Sequence, residues 1–165
     1  MLKRVGSWFF YLLVLALSFQ LIHSWQTRHM LSAEGEVKIS SLTLPLLNGG
    51  VHTLAANPDK NLLIYFFAPW CGICRASIGN LDAIDTEMTE VVVIAMDYAS
   101  IDNVAAFVRD VGVKQPVLLG NDGLKAHFKI QAYPTYYVLD SSFNVIRRDM
   151  GYSTAPGIKV KTHVW

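Results

Sequence analysis

Cys71 and Cys74 are the only cysteines in the chain, and they are separated by two residues in Trp70-Cys71-Gly72-Ile73-Cys74. A thiol pair at this spacing can close a ring and open it again, because a thiolate attacks a disulfide sulfur through a mixed-disulfide intermediate. The run Leu62-Leu63-Ile64-Tyr65-Phe66-Phe67 before the pair reads as a buried strand, and a segment of helical spacing comes after it. The pair therefore falls at a strand-to-helix turn. Free N–H groups and the positive end of a helix stabilise a thiolate there. That position and the adjacent Trp70 favour redox chemistry over a purely structural disulfide or buried, inert thiols.

The elements that must hold this turn can be read along the chain. Leu42, Leu44 and Leu46 alternate with Thr43 and Pro45. Asn48-Gly49-Gly50 marks a turn, and Val51 to Leu54 returns, so a hairpin is expected with Pro45 on an edge strand. Ile78, Leu81, Ile84 and Met88 recur at helical steps after the cysteines, with Gly79 softening the helix. Val91 to Met96 reads as a second fully buried strand. Ser100 or Asp102 can cap a helix that buries Val104, Phe107, Val108 and Val111, and Gly112 ends it. A short strand at 116–119, a helical turn at 124–128, a strand at 136–139 and a return at 145–148 complete the pattern. The tail after Pro156-Gly157 is a candidate helix. Strands separated by helices and closed by a hairpin give an α/β fold with a sheet of mixed direction.

At 165 residues the chain holds one domain with a sizeable core. Its formal net charge of +1 and lack of a basic block give no footprint for nucleic acid. Lys3 and Arg4 are followed by Val5 to Ile22, which carry no formal charge, with Trp8 and Trp25 near the two ends. This is the pattern of a transmembrane helix over about 5–22 that anchors the protein in the bilayer and exports the rest of the chain. A signal peptide cleaved near Ala16-Leu17-Ser18 is the alternative. Residues 1–22 are thus a signal anchor, 23–38 a polar linker in which His23 and His29 are solvated, and 39–165 the domain. Either route carries the cysteines out of the cytoplasm, where a disulfide persists.

From about Ile39 onward the chain resembles thioredoxin-fold proteins, and among them the exported, membrane-anchored TlpA/ResA branch with its suppressor-of-copper-sensitivity relatives. Three features carry the resemblance: the Trp70-to-Cys74 motif after a buried strand, Tyr133-Pro134-Thr135 before the next-to-last strand, and an extra helix with Pro116-Val117-Leu118-Leu119 between them. The N-terminal hairpin fits the same branch. The resemblance implies that Cys71 is the exposed attacking thiol and Cys74 the buried resolving one. It implies that Pro134 is cis and faces the pair, and that the backbone of Tyr133 receives an extended client chain. Trp70 would form an aromatic lip of that groove. The chain also departs from the family. Tyr65 and Val93 stand where thioredoxins bury an acid and its lysine, Ser77 replaces a glutamate of many relatives, and Gly79 replaces a helix-kinking proline.

Three readings of function result. The first is a thiol–disulfide oxidoreductase without a cofactor, acting on exported proteins with disulfides, as a reductant re-reduced by a membrane donor protein. The second runs the same residues as a disulfide-donating oxidase. The third is a copper(I) carrier using the two soft sulfurs, with Met96 or Met150 as added ligands and His127 and His163 as weak candidates.

Overall fold

A computed structural model describes residues 2–162, without the side chains of residues 2–7, 9, 23 and 26. The cysteine pair sits on a five-stranded sheet. Its central strand is β3 (Asn61–Phe67), flanked by β4 (Thr89–Ala95) and β6 (Thr135–Leu139), with β5 (Val117–Leu119) and β7 (Val145–Met150) outermost. The order is β5-β4-β3-β6-β7. Strands β3, β4 and β5 run parallel, and β6 and β7 run antiparallel to their inner neighbours. This is the thioredoxin-like α/β fold expected from the sequence. The hairpin β1 (Leu42–Pro45) and β2 (Val51–Leu54) forms its own two-stranded sheet and meets β5 through a Leu46–Leu118 bridge.

Strand β3 is buried on both faces, so alternate side chains feed two cores. Leu62, Ile64 and Phe66 pack with Ile94, Tyr137 and Phe128 on one face. Leu63, Tyr65 and Phe67 pack with Val93, Phe107 and Tyr136 on the other, and this second core contains both cysteines. Helix α2 (Gly72–Ser77), helix α3 (Ile101–Val111) and the last helix, α5 (Ala155–Thr162), lie with that face, while α4 (Asp122–His127) lies with the first. Ser100 caps α3 through the Asn103 N–H, and Gly112 ends it at φ 67°, a left-handed conformation that favours glycine.

Two elements differ from expectation. The long amphipathic helix after the cysteines is short. It tightens into a 3-10 segment over Ile78–Ala83 and ends at Ile84, which is extended. Met88, placed on the apolar face by spacing alone, is 58% exposed. The periodic residues continue past the point where the chain must turn into β4.

The second difference is the N-terminus. Helix α1 covers Leu2–Thr27, so it runs past the point where a linker was expected. The linker is docked rather than free. Met30 and Leu31 are buried, Arg148 Nη1 donates to the Met30 and Leu31 carbonyls at 3.1 and 2.6 Å, and the Leu31 N–H donates to the Tyr137 hydroxyl. Further on, Gly35 N–H donates to Val145 O, and Val145 N–H to Val37 O. The polar composition of 23–38 concealed this because its partners are backbone groups, Arg148 and the Tyr137 hydroxyl, all far along the chain. Among the described residues, no helix is long and apolar enough to cross a membrane. The unbroken described part of the apolar stretch, residues 10–22, covers about 20 Å against the roughly 30 Å of a hydrocarbon core. The side chains of residues 5–7 and 9, where the expected span begins, and of Lys3, Arg4 and His23 lie outside the described residues, as does all of His163.

Candidate active site

The geometry at the end of β3 comes from a backbone that stops being a strand at Phe67 and starts a helix at Gly72. Cys71 is the N-cap of α2, in extended conformation (φ −80°, ψ 110°), and its Sγ accepts the Cys74 N–H at 3.0 Å. Cys71 and Cys74 form a disulfide. When reduced, an N-capping sulfur keeps that donor, and a thiolate accepts it more strongly than a thiol does. Cys74 is fully buried, and Cys71 is 7% exposed. Cys71 is thus the more accessible sulfur but is largely covered, where the family resemblance implied an exposed one.

The cover is a lip built from four separate stretches. The Tyr133–Pro134 peptide bond is cis, and the Tyr133 carbonyl oxygen lies 3.5 Å from Cys71 Sγ. Trp70 is 68% exposed and meets the Tyr133 ring edge-on, with centroids 5.8 Å apart and planes at 80°. Trp70 Nε1 donates to the Asp97 carbonyl at 3.0 Å. Asp97 itself has φ 44°, in the left-handed region, and its carboxylate pairs with Lys125 of α4. Lys125 Nζ sits 5.8 Å over the Tyr133 ring. The Tyr133 hydroxyl is buried without a hydrogen-bond partner among the described residues. Burial, then the Asp97 and Asp122 carboxylates, push its pKa up.

Below the sulfurs lies a floor of neutral hydroxyls. Ser77 is one helical turn beyond Cys74 and is also buried. Its Oγ donates to Ile73 O at 2.9 Å, which leaves the Tyr65 hydroxyl to donate to Ser77 Oγ at 2.7 Å. Burial pushes the Tyr65 phenol far up, against a smaller opposing pull from the Ser77 bond. Tyr65 stacks on Tyr136, its register partner on β6, with ring planes 10° apart. The hydroxyl of Tyr136 joins Asp149, Ser153 and Lys161, which tie β7 and α5 together.

Trp70, Cys71, Cys74, Tyr133 and Pro134 are therefore brought to one place. Other candidates are not. Arg75 turns to α3, pairing with Asp110 at 3.5 Å and lying over the Phe107 ring. Met96 and Met150 pack with the opposite core, and His127 lies edge-on to Phe128 on α4, so none of them joins the sulfurs. No cluster of three or more metal-binding side chains occurs among the described residues. Asp97 reads in sequence as a turn residue, and Lys125 carries no local signal, since the pair is 28 positions apart.

The redoxin family model matches residues 34–162. The chain belongs to the redoxin family. It is 28% identical over 103 residues to the thioredoxin-like protein YneN of Bacillus subtilis, a match covering 59% of this chain and 61% of YneN. The match thus spans about three fifths of that relative's length. Among solved structures, it resembles a thiol:disulfide interchange protein of the thioredoxin family from Chlorobium tepidum, with a TM-score of 0.65, 23% identity, and 76% and 93% of the two chains covered. It also resembles the exposed lipoprotein thioredoxin Etrx1 of Streptococcus pneumoniae, with a TM-score of 0.63, 22% identity, and 72% and 94% covered. These likenesses show the thioredoxin fold, within which the TlpA/ResA resemblance of the motifs sits.

Proposed function

We propose that this protein is an exported thiol–disulfide oxidoreductase that reduces disulfides of client proteins and is held at the membrane by residues 5–22. The observation that carries the reading is the Cys71–Cys74 disulfide capping α2, with the Tyr133 carbonyl 3.5 Å from Cys71 Sγ. A carbonyl at that distance offers a client backbone a hydrogen-bond acceptor beside the reacting sulfur.

In the reduced enzyme, the Cys71 thiolate attacks one sulfur of a client disulfide. The client S–S bond breaks, the mixed disulfide forms, and one client thiolate leaves and takes a proton from solvent. Cys74 then loses its proton and attacks Cys71 Sγ. The mixed disulfide breaks, the second client thiolate leaves, and the Cys71–Cys74 bond closes. Two electrons have passed to the client, and a dithiol donor protein in the membrane returns them. The reducing direction rests on the likeness to the TlpA/ResA branch. Run backwards, the same steps donate a disulfide.

Export and anchoring rest on the charge-free stretch behind Lys3 and Arg4, and on Phe10, Leu15 and Leu21, which are 62%, 70% and 71% exposed to whatever surrounds α1. The likeness to Etrx1, an exposed lipoprotein, supports an extracytoplasmic place. Resistance to alkaline carbonate extraction, with a mature mass that includes residues 1–22, is the expected result. A mature chain starting near residue 19 would replace the anchor with a cleaved signal.

The activity is tested with Cys74→Ala, which should trap mixed disulfides through Cys71 and lose turnover by about a thousandfold or more. Failure to trap any client, together with stoichiometric copper(I) bound by the purified reduced domain, would transfer the two sulfurs to metal carriage. The reduction potential decides direction. A value near about −270 mV supports the reductant, and one near about −120 mV the oxidase.

A further inference from the structure

A chain of contacts runs from α4 to the reacting sulfur. Lys125 pairs with the Asp97 carboxylate, and its ammonium lies over the Tyr133 ring. The Asp97 carbonyl accepts the Trp70 indole N–H, the Trp70 and Tyr133 rings meet edge-on, and the Tyr133 carbonyl touches Cys71 Sγ. The ring of contacts closes on itself, so moving any member moves the aperture above Cys71.

Two features separate this ion pair from ordinary surface pairs, which hold little in place. The Lys125 and Asp97 side chains are only 35% and 28% exposed. Asp97 also adopts a left-handed backbone at φ 44°, a region aspartate reaches more readily than most residues, and in it the carbonyl accepts the Trp70 indole N–H. Tyr133 completes the lip, with the Asp97 and Asp122 carboxylates near its buried hydroxyl. What holds its ring is Trp70 on one side and the ammonium over its face.

We propose that Lys125, acting through Asp97, is a positioning residue for client selection. It holds the Trp70 and Tyr133 rings edge-on and so sets the width of the aperture through which a client segment reaches Cys71. The clients it favours are extended peptide disulfides that lie against both rings, in contrast to small disulfides that reach the sulfur without them. This proposal rests on the oxidoreductase reading and deepens it.

The test compares kcat/KM for a peptide disulfide with kcat/KM for a small one, oxidised glutathione, using the full chain. Lys125→Met and Asp97→Asn should lower the peptide-to-glutathione ratio about fivefold. Asparagine keeps access to the left-handed backbone at 97, so that variant removes the charge without a new backbone demand. Lys125→Arg, which restores the pair and the cation over the ring, should recover most of the ratio. An unchanged ratio in Lys125→Met, or equal ratios in the Met and Arg variants, overturns the proposal. A second readout does not depend on turnover. The fluorescence of Trp70, isolated by subtracting a Trp70→Phe variant, should shift in Lys125→Met and return in Lys125→Arg. A wild-type protein that exchanges neither disulfide removes the activity reading. If Trp70 fluorescence still responds to Lys125 there, the positioning contact stands without it. If it does not respond, both fall.

Discussion

The lip above Cys71 and the floor below Cys74 are a few ångströms of protein apart and are built on opposite lines. The lip is half-exposed, aromatic and pinned by an ion pair, Asp97–Lys125, whose partners come from different elements. The floor is sealed and holds no formal charge at the two positions where thioredoxins keep an acid and a lysine. There Tyr65 and Val93 face each other as register partners, both almost completely buried. The contrast assigns different work to the two sides. Charge is present at the half-exposed lip, in the Asp97–Lys125 pair. It has been dropped where it would need a buried partner to be tolerated.

The largest effect should come from returning charge to the floor. Val93→Lys places an ammonium in a fully buried site with no carboxylate, and should destabilise the domain by about 3–5 kcal/mol. Adding Tyr65→Asp should recover part of that loss, so a double-mutant cycle by denaturant unfolding reads the coupling directly. Purely additive losses would show that the floor has been rebuilt too far to accept the pair.

Next in size is truncation of the lip. Trp70→Ala should lower kcat/KM for a peptide disulfide about tenfold more than for oxidised glutathione, as expected on removing a tryptophan anchor. Its effect should exceed that of Lys125→Met, since the lysine acts through the ring. The reverse order would make the ion pair itself the client contact.

The smallest expected effect concerns the floor's hydroxyls. Tyr65→Phe leaves Ser77 with one partner fewer and should cost about 1 kcal/mol. It also has a pH signature. Burial raises the folded pKa of Tyr65, so the folded state holds this proton more tightly than the unfolded one. The stabilisation is complete below the unfolded phenol value of about 10 and is lost as pH rises beyond it. Tyr65→Phe should therefore move the onset of alkaline unfolding upward. An unmoved onset would leave Tyr136 and Tyr137, whose phenols burial also raises, as the groups responsible.

The sequence disclosed those parts in which one residue type answers one local demand. Two-sided burial of β3 and β4 was visible as unbroken apolar runs, the turn between strand and helix as a change of period, and the end of α3 as Gly112. Where a segment is held by partners far along the chain, the local pattern gave no sign. Residues 23–38 look like a tether because the hydrogen bonds of Met30, Leu31, Gly35 and Val37 go to Arg148, Tyr137 and the backbone of Val145. The 3-10 segment at 78–83 was invisible for a related reason, since apolar spacing does not tell a helix from the tighter turn that must stop for β4. At the site, the cysteines, Trp70 and the Tyr133-Pro134 pair were legible from residue type and the family motif. The pairing of Lys125 with Asp97 was not, because a lysine on a short helix reads the same in sequence whatever it meets.

The docked N-terminal segment and the hairpin have a consequence for how another chain can engage this sheet. An outer strand ordinarily offers a row of unpaired N–H and C=O groups on which a foreign strand can build. Here Leu47 N–H already occupies Val117 O on the β5 side, and Gly35 and Val37 occupy the start of β7 on the other. The molecule has closed its own margins at both places. The acceptor beside Cys71, the Tyr133 carbonyl, lies at neither margin. A polypeptide seeking main-chain partners finds those two places occupied, while the Tyr133 carbonyl lies apart from both, beside Cys71 Sγ.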